Sequence, residues 1–254
     1  MQADSEKRNH CDRAAYPELN AREIDRMNGS NSETRDAQPL TGRMQAYENF
    51  KQQILEARLR PGQFVSQRHL MEILNLPLGA IREVIPRLEA ARLLVTVPKR
   101  GLQIAHVDFK LIRNAFQIRQ MIEKEAVSNF VDVVSADELK QIEESHRQVL
   151  ARARAEKPDQ LLDRDAQQID WGLHDRMVDS LGNEILSEIY RVNSLHVRLI
   201  KIDAELVRPM RIVPAMEEHL AFITALKARD KSAAVSLIAQ HVENSRTRVL
   251  EGLL

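Results

Sequence analysis

The spacing of apolar residues changes from helical to alternating between residues 81 and 104. Apolar residues recur at helical intervals over 81–88, whereas 94–97 and 102–104 alternate as two short strands would. The residues between the strands, Pro98-Lys99-Arg100-Gly101, combine the turn formers of a hairpin with two positive charges. An amphipathic helix followed by a hairpin with a basic tip restricts what the first half of the chain can fold into.

Two further helical segments precede this pattern. Apolar residues recur at helical spacing over 44–59, and Pro61-Gly62 ends that segment. Ser66 is of a residue type that caps helices, and apolar residues follow it over 70–74. Three short helices followed by a two-stranded wing are the plan of a winged helix-turn-helix, which we predict for residues 43–106 as a DNA-binding domain.

The predicted winged helix is more basic than the chain as a whole. Between residues 44 and 101 there are nine Lys and Arg residues and five Glu residues, a net charge of +4, whereas the whole chain has a net charge of zero. A basic module attached to a neutral one is typical of proteins that bind DNA phosphates. We therefore expect double-stranded DNA as a partner.

Residues 107–254 have the pattern of an all-α helical bundle. Helix-start signals recur along this part of the chain: Asp108, Ser135, Pro158-Asp159, Asn183, Pro214 and Asp230. Helical segments joined by short loops predict a bundle.

Residues 1–42 are polar, contain turn formers and lack apolar periodicity, so we expect a flexible N-terminal tail there. The predicted fold class is mostly α, with the winged helix-turn-helix first and the bundle second.

The sequence has no recognisable secretion signal or membrane segment. Its N-terminus lacks the apolar core of a signal peptide, and no apolar run approaches the length of a membrane span. The single cysteine, Cys11, excludes an internal disulfide, which fits a reducing compartment. We expect a cytoplasmic protein that does not bind membranes.

Four polar residues of the bundle lie on apolar helix faces. Asp170 and His174 are four residues apart and share one face, and His219 and His241 lie on similar faces of two later helices. A lone histidine on such a face is more often a hydrogen-bonded core residue than a metal ligand. Burying three imidazoles together is costly, however, and a shared cation would offset that cost. The donor set suits Zn²⁺, Ni²⁺, Fe²⁺ or Mn²⁺ and leaves room for water or a carboxylate ligand.

Three segments of the winged helix carry a family resemblance: LRPGQFVSQRHLMEIL, IREVIPRLEAARLL and VPKRG. Together they resemble the N-terminal domain of the GntR family of bacterial transcriptional regulators. The resemblance implies DNA contacts by Arg68 of the second helix, Arg82 of the recognition helix, and Arg100-Gly101 at the wing tip. Arginine makes bidentate contacts to guanine or phosphate, and glycine lets the backbone approach closely. The alternative for Arg82 is a surface ion pair with a glutamate of a neighbouring element.

Four positions depart from the GntR pattern. Leu78-Gly79 stands where the family commonly has Arg-Thr, so one expected base contact is missing. Pro86 falls inside the recognition helix and is expected to kink it or break it locally, at a cost of about 3 kcal/mol if unrelieved. Arg92 replaces a glycine that the family often has after this helix.

The polar residues of the bundle carry a second resemblance. An Asp and a His four residues apart, a later Glu-His and a His in the last helix resemble the FCD ligand-binding domain of the FadR-like GntR branch, over residues 108–250. The resemblance implies a divalent metal ion with a small organic acid bound beside it. Its ligands would be the four residues already singled out: Asp170, His174, His219 and His241.

Arg119 is the expected effector-binding residue. In the segment QIRQMIE, Arg119 and Glu123 match an Arg and a Glu of the FCD family, which implies that Arg119 projects toward the cavity and pairs with an effector carboxylate. The alternative is an ion pair between Arg119 and Glu123, which are four residues apart. We expect the remaining histidines of interest to be structural or isolated: His196, His146, His106 and His10.

Both resemblances imply a homodimeric, nucleoid-associated bacterial repressor, and not an enzyme, whose operator affinity depends on a small carboxylate effector. Two alternatives stay open. A metal-free regulator would bind an acyl or other apolar effector in the same cavity. The dipeptide His174-Asp175 also occurs in HD-type metal-dependent phosphohydrolases. However, Asp175 is turned by about 100° from His174 on a helix, and no general base is evident.

Overall fold

The computed structural model describes residues 42–155, 160–202 and 212–252. Its N-terminal elements are α1 (Gly42–Leu55), β1 (Phe64–Val65), α2 (Gln67–Leu74), α3 (Leu78–Ala90), β2 (Leu94–Val97) and β3 (Gly101–Ile104). Its C-terminal helices are α4 (Phe109–Val133), α5 (Ala136–Ala155), α6 (Gln160–Asp179), α7 (Glu184–Ile202), α8 (Ile212–Lys227) and α9 (Lys231–Glu251). The predicted fold class, a winged helix-turn-helix followed by an all-α bundle, is confirmed.

The wing is a three-stranded antiparallel sheet in the order β1-β3-β2. The predicted hairpin is present, with Leu94 opposite Ile104 and Val97 opposite Gly101. The strand β1 was not predicted. It pairs Phe64 with Gln103, and its two residues are too short to show a period-two pattern in the sequence.

The core of the winged helix is formed by the apolar faces of its three helices and by the sheet. Fully buried residues include Phe50 and Ile54 of α1, Leu70 of α2, and Ile81 and Leu88 of α3. The cap predicted at the start of α2 is confirmed, because the side chain of Ser66 accepts a hydrogen bond from the backbone N–H of His69 at 3.0 Å.

The recognition helix α3 runs without a break through Pro86. Of the two predicted effects of Pro86, the local break is therefore wrong, and the kink stays a prediction. Pro86 lies on the exposed side of the helix. Water can reach that side and satisfy the carbonyl of Arg82, which loses its intrahelical donor to the proline ring.

Arg92 follows α3 in the left-handed region of backbone space, with φ of 56°. Only glycine adopts this conformation without a steric penalty, which for other residues is about 1–2 kcal/mol. The glycine that the GntR pattern often has at this position is explained by the same geometry.

Short polar side chains cap the helices of the bundle at most of the predicted positions. Asp108, Ser135, Asn183 and Asp230 each accept a hydrogen bond from a backbone N–H three residues later. The helix start predicted at Pro158-Asp159 and the predicted N-terminal tail lie outside the described residues, apart from the start of α1.

Two helices organise the bundle around the polar residues. Helix α4 packs against α6, α7 and α9, and α8 packs against α5, α6 and α9. The described residues belong to one compact unit, and the domain boundary after residue 106 stays a prediction. Among the helices of the described ranges, none has the length and hydropathy that a membrane span requires.

Candidate functional site

Three helices of the bundle bring the four predicted metal ligands together. Asp170 and His174 lie on α6, His219 on α8 and His241 on α9, and all four are buried. One potential ligand atom of each residue lies within 4.8 Å of those of the other three. Helical spacing accounts for the pairing of Asp170 with His174 on one face, whereas the meeting of three helices is a property of the tertiary fold.

The closest contact in this cluster joins two imidazoles. The Nε2 atoms of His219 and His241 are 3.2 Å apart. The Oδ1 atom of Asp170 lies 3.5 Å from the same Nε2 atom of His219. Three potential donor atoms therefore point at one small volume between α6, α8 and α9.

Each imidazole of the cluster has its Nδ1 atom next to an outer partner. These contacts are His174 to Glu123 Oε2 at 2.9 Å, His219 to His146 Nε2 at 3.1 Å, and His241 to Glu218 Oε2 at 2.8 Å. Outer partners of this kind are common around metal-binding histidines, where they orient the ring and select the tautomer. In His219 and His241 this arrangement leaves the Nε2 atoms facing each other inside the cluster.

His146 of α5 belongs to this site, and the expectation that it lies in no constellation is wrong. It is 1% exposed, and its Nδ1 atom is 2.7 Å from the carbonyl oxygen of Ile142. A sequence signal did exist, because His146 shares an inward face of α5 with Leu139 and Val149. Its partner His219 is 73 residues away, so no local pattern could have joined the two.

Burial keeps the imidazoles of His219, His241 and His146 neutral near pH 7. It lowers the pKa of His219 well below the ordinary value and lowers the pKa of His241 to about 4. Burial also lowers the pKa of His146. Neutral rings carry one proton each, so each has one nitrogen that donates and one that accepts.

The carboxylates around the cluster are ionised. Burial by itself would raise the pKa of Asp170, but the positive charge of Lys201 holds it well below its usual range. Burial would likewise raise the pKa of Glu218, but hydrogen bonds from His241, Arg248 and Asn244 lower it to about 2. The site therefore combines negative oxygen atoms with neutral imidazole nitrogens.

The tautomers of three histidines follow from their partners. The carbonyl of Ile142 can only accept, so Nδ1 of His146 donates to it and Nε2 accepts from Nδ1 of His219. The ionised Glu218 accepts from Nδ1 of His241. Consequently the two Nε2 atoms that face each other at 3.2 Å both present lone pairs.

Arg119 forms the ion pair that was the alternative to its effector role. Its Nε donates to Glu123 Oε1 at 2.6 Å, and both side chains are buried. Its Nη2 atom also lies 3.2 Å from Nε2 of His174, at the edge of the cluster. The effector-binding role of Arg119 stays a prediction.

A small cavity adjoins the cluster between α6 and α7. Its lining includes Arg119, His174, Trp171, Asp175 and Tyr190. Burial raises the pKa of Asp175, which is not among the four clustered candidate ligands. This placement does not favour the phosphohydrolase alternative, in which Asp175 would be a ligand.

Trp171 packs on a neighbouring helix. The guanidinium of Arg198 on α7 lies 3.8 Å from the centre of the Trp171 ring. His196, also on α7, places Nε2 3.3 Å from the carbonyl oxygen of Arg92, in keeping with a structural role.

The predicted DNA-binding residues lie on three separate elements of the winged helix. Arg82 is exposed on α3, and within the described residues its side chain has no ion pair, so the alternative role is not found. Arg68 on α2 is 3.5 Å from Glu72 and largely exposed. Their contacts with DNA stay a prediction.

The wing tip is preorganised by β1. The guanidinium of Arg100 lies 3.9 Å from the ring centre of Phe64. Gly101 has φ of 93°, and a Cβ atom there would lie 2.9 Å from the carbonyl oxygen of Val65. Glycine is therefore required by packing within the wing, independently of any contact with DNA.

Comparisons with known proteins agree on both halves of the chain. Residues 43–104 match the gntR family of bacterial regulatory proteins, and residues 114–244 match the FCD domain. The HTH-type transcriptional repressor RspR of Escherichia coli (strain K12) is 23% identical over 201 residues, which cover 78% of this chain and 85% of that protein.

Two solved structures have the same fold. E. coli McbR/YncC has a TM-score of 0.71 at 18% identity, over 85% of this chain and all of that one. A GntR transcriptional regulator from Rhodococcus sp. RHA1 has a TM-score of 0.68 at 17% identity, over 84% of this chain and 99% of the other. At these identities the likeness concerns the fold alone.

Proposed function

The chain belongs to the GntR family of bacterial regulatory proteins and carries an FCD domain, and from this membership we propose a homodimeric repressor that senses a small carboxylate beside a divalent metal ion. As a member of that family it is a DNA-binding transcriptional regulator. The metal, the effector, the direction of regulation and the oligomeric state are the parts that we propose.

The facing lone pairs of His219 and His241 are the observation that supports a metal ion most strongly. Two unprotonated nitrogens at 3.2 Å repel each other unless a cation lies between or beside them. Protonating either ring is unfavourable, because burial lowers the pKa of both. A divalent cation satisfies both lone pairs at once.

The residues present fit such a cation. His174, His219 and His241 supply imidazole nitrogen, and Asp170 supplies a carboxylate oxygen, a set that suits Zn²⁺, Ni²⁺, Fe²⁺ or Mn²⁺. When bound, the metal ion would supply a positive centre with room for a further oxygen ligand. Glu123, His146 and Glu218 would hold the three rings in place from outside.

Arg119 supports a carboxylate as the effector class. Its guanidinium lines the cavity next to His174, and its Nη2 atom is within 3.2 Å of that ring. A guanidinium recognises a carboxylate through paired N–H donors. An effector carboxylate placed between Arg119 and the metal site would compete with Glu123 for the guanidinium and so alter the buried ion pair.

The regulatory outcome is proposed from the family and from one relative. Winged helices of regulators commonly occur in pairs on two-fold symmetric operators, which supports a homodimer. The relative RspR is a transcriptional repressor by name, which supports repression here.

Metal content decides the proposal. The full chain, purified without chelators, should contain close to one equivalent of a divalent transition metal by elemental analysis. Adding Zn²⁺ or Ni²⁺ to chelator-treated protein should raise the thermal midpoint, because a ligand bound only by the folded state stabilises it. Substoichiometric metal together with an unchanged midpoint would leave the metal-free regulator as the better description.

A further inference from the structure

The two arginines exposed on the recognition helix α3 have different surroundings. Arg82 has no ion pair within the described residues. Arg87 places its guanidinium 4.0 Å from the ring centre of Tyr47 and its Nη2 atom 3.3 Å from Oε1 of Glu188 on α7. Arg87 is therefore directed at the bundle, whereas Arg82 is free to contact DNA.

Helix α7 takes part in the core of the winged helix. Leu195 and Leu199 are almost fully buried in the same apolar cluster as the residues of α1 and α3. His196 adds a polar contact, with Nε2 3.3 Å from the carbonyl oxygen of Arg92. A displacement of α7 would therefore shift the helices of the winged helix that carry the predicted DNA-binding residues.

The other side of α7 reaches the candidate metal site. The hydroxyl of Tyr190 donates to Oε1 of Glu123 at 2.7 Å, and the same carboxylate accepts from Nδ1 of His174 at 2.9 Å. At the far end of α7, Nζ of Lys201 is 3.4 Å from Oδ2 of Asp170. Two of the four clustered residues thus have a link to α7.

We propose that α7 couples the metal site to the recognition helix, and that Arg87 is a positioning residue that docks α3 on Glu188 instead of contacting DNA. Glu188 and Tyr190 are only two residues apart on one helix, so a change at Glu123 that moves Tyr190 also moves Glu188. The inference rests on the proposed function, because it requires a ligand at the metal site that changes operator affinity.

Breaking the ion pair between Arg87 and Glu188 should change the operator affinity only modestly. Arg87 and Glu188 are both well exposed, and exposed ion pairs change an equilibrium by about fivefold or less. Leu195 and Leu199 still hold α7 against the winged helix when the ion pair is removed. Variants of Arg87 or Glu188 should therefore fold normally, and their effect should appear in the coupling between sites.

The test measures operator affinity of the full chain with and without saturating Zn²⁺. The DNA probe is a duplex selected from a random pool by the wild-type protein, and the readout is the ratio of the two Kd values. Arg87→Gln and Glu188→Gln should keep the metal-free Kd within about threefold while moving the ratio toward one. The charge swap, Arg87→Glu with Glu188→Arg, should restore the ratio in part. Arg82→Gln should weaken both Kd values and leave the ratio unchanged.

The proposed function and the coupling through α7 are contradicted by different results. A wild-type ratio of one with zinc bound would overturn the coupling between the metal site and the recognition helix, whereas a chain that binds no zinc would overturn the proposed function itself. A wild-type ratio that Glu188→Gln leaves unchanged would overturn the coupling alone. Loss of affinity in Arg87→Gln equal to that in Arg82→Gln, with a shallower salt dependence, would identify Arg87 as a phosphate contact instead. Tyr190→Phe, with an unchanged zinc content, should also move the ratio toward one.

Discussion

His146 places its Nε2 atom 3.1 Å from Nδ1 of His219 and anchors its own Nδ1 atom on the carbonyl of Ile142. The chain of contacts runs from a backbone carbonyl through two imidazoles to the centre of the cluster. It determines which nitrogen of His219 is free to bind a cation.

Replacing His146 should weaken metal binding although it is not among the four clustered ligands. His146→Leu removes the acceptor of the Nδ1 proton of His219, so the ring loses its preferred tautomer. Metal affinity should fall by about 10–100-fold, as for other outer partners of metal ligands. Competition titration with a chromogenic zinc chelator measures this. His106→Leu, a change at an exposed histidine outside the cluster, should have no effect; equal affinities of all three proteins would contradict the role of His146.

Replacing His219 should abolish metal loading more completely. Its Nε2 atom lies closest to both His241 and Asp170, so His219→Ala removes the central nitrogen of the set. We expect affinity to fall by more than about 100-fold, the upper end for outer partners. Elemental analysis would measure the loss, and operator binding would verify that the winged helix is folded. Wild-type metal content in this variant would rule out the assigned ligand set.

The stability of the metal-free protein should decrease on mild acidification. Burial lowers the pKa of His241 from an ordinary 6.5 to about 4 in the folded state, so the unfolded chain binds a proton first as the pH falls. Its contribution is complete above pH 6.5 and is lost progressively down to about pH 4, amounting to about 3 kcal/mol. Urea unfolding at pH 7, 6, 5 and 4 measures the slope. His241→Asn should reduce this slope, and a wild-type profile that is flat over this range would contradict the prediction.

Gly101 and Gly79 form a matched pair for testing the wing. Gly101→Ala forces a Cβ atom to 2.9 Å from the carbonyl of Val65 at a φ of 93°, so it should destabilise the chain by about 1–3 kcal/mol. Gly79→Ala meets no atom within 4 Å in a helix and should be neutral or stabilising by up to about 1 kcal/mol. Thermal unfolding measures both, and an equal response of the two variants would argue against the strained wing tip.

Arg82→Ala should weaken operator binding by about 1–3 kcal/mol, because its guanidinium is exposed on the recognition helix and has no ion pair among the described side chains. Fluorescence anisotropy at several salt concentrations measures the loss and separates a base contact from a phosphate contact. Arg113→Ala, at an exposed position on α4, is the control. Unchanged affinity in Arg82→Ala would show that α3 reads DNA through other residues.

The sequence by itself determined the elements and the faces of this protein. Helical spacing placed Asp170 and His174 together on one inward face, and alternation of apolar residues located the hairpin of the wing. These features depend on residues within a few positions of one another, where the period of the backbone governs which side chains are neighbours. The i, i+4 pairing of Arg119 with Glu123 was visible in the same way, as an alternative.

Only the tertiary structure determined which residues of other helices those faces contact. The contact of His146 with His219 and the docking of Arg87 on Glu188 join residues that are 73 and 101 positions apart. Strand β1 is too short to have a period and exists because β3 offers it free hydrogen-bonding groups. Which residues meet at such distances depends on how whole helices pack, and packing is a collective property that no local pattern contains.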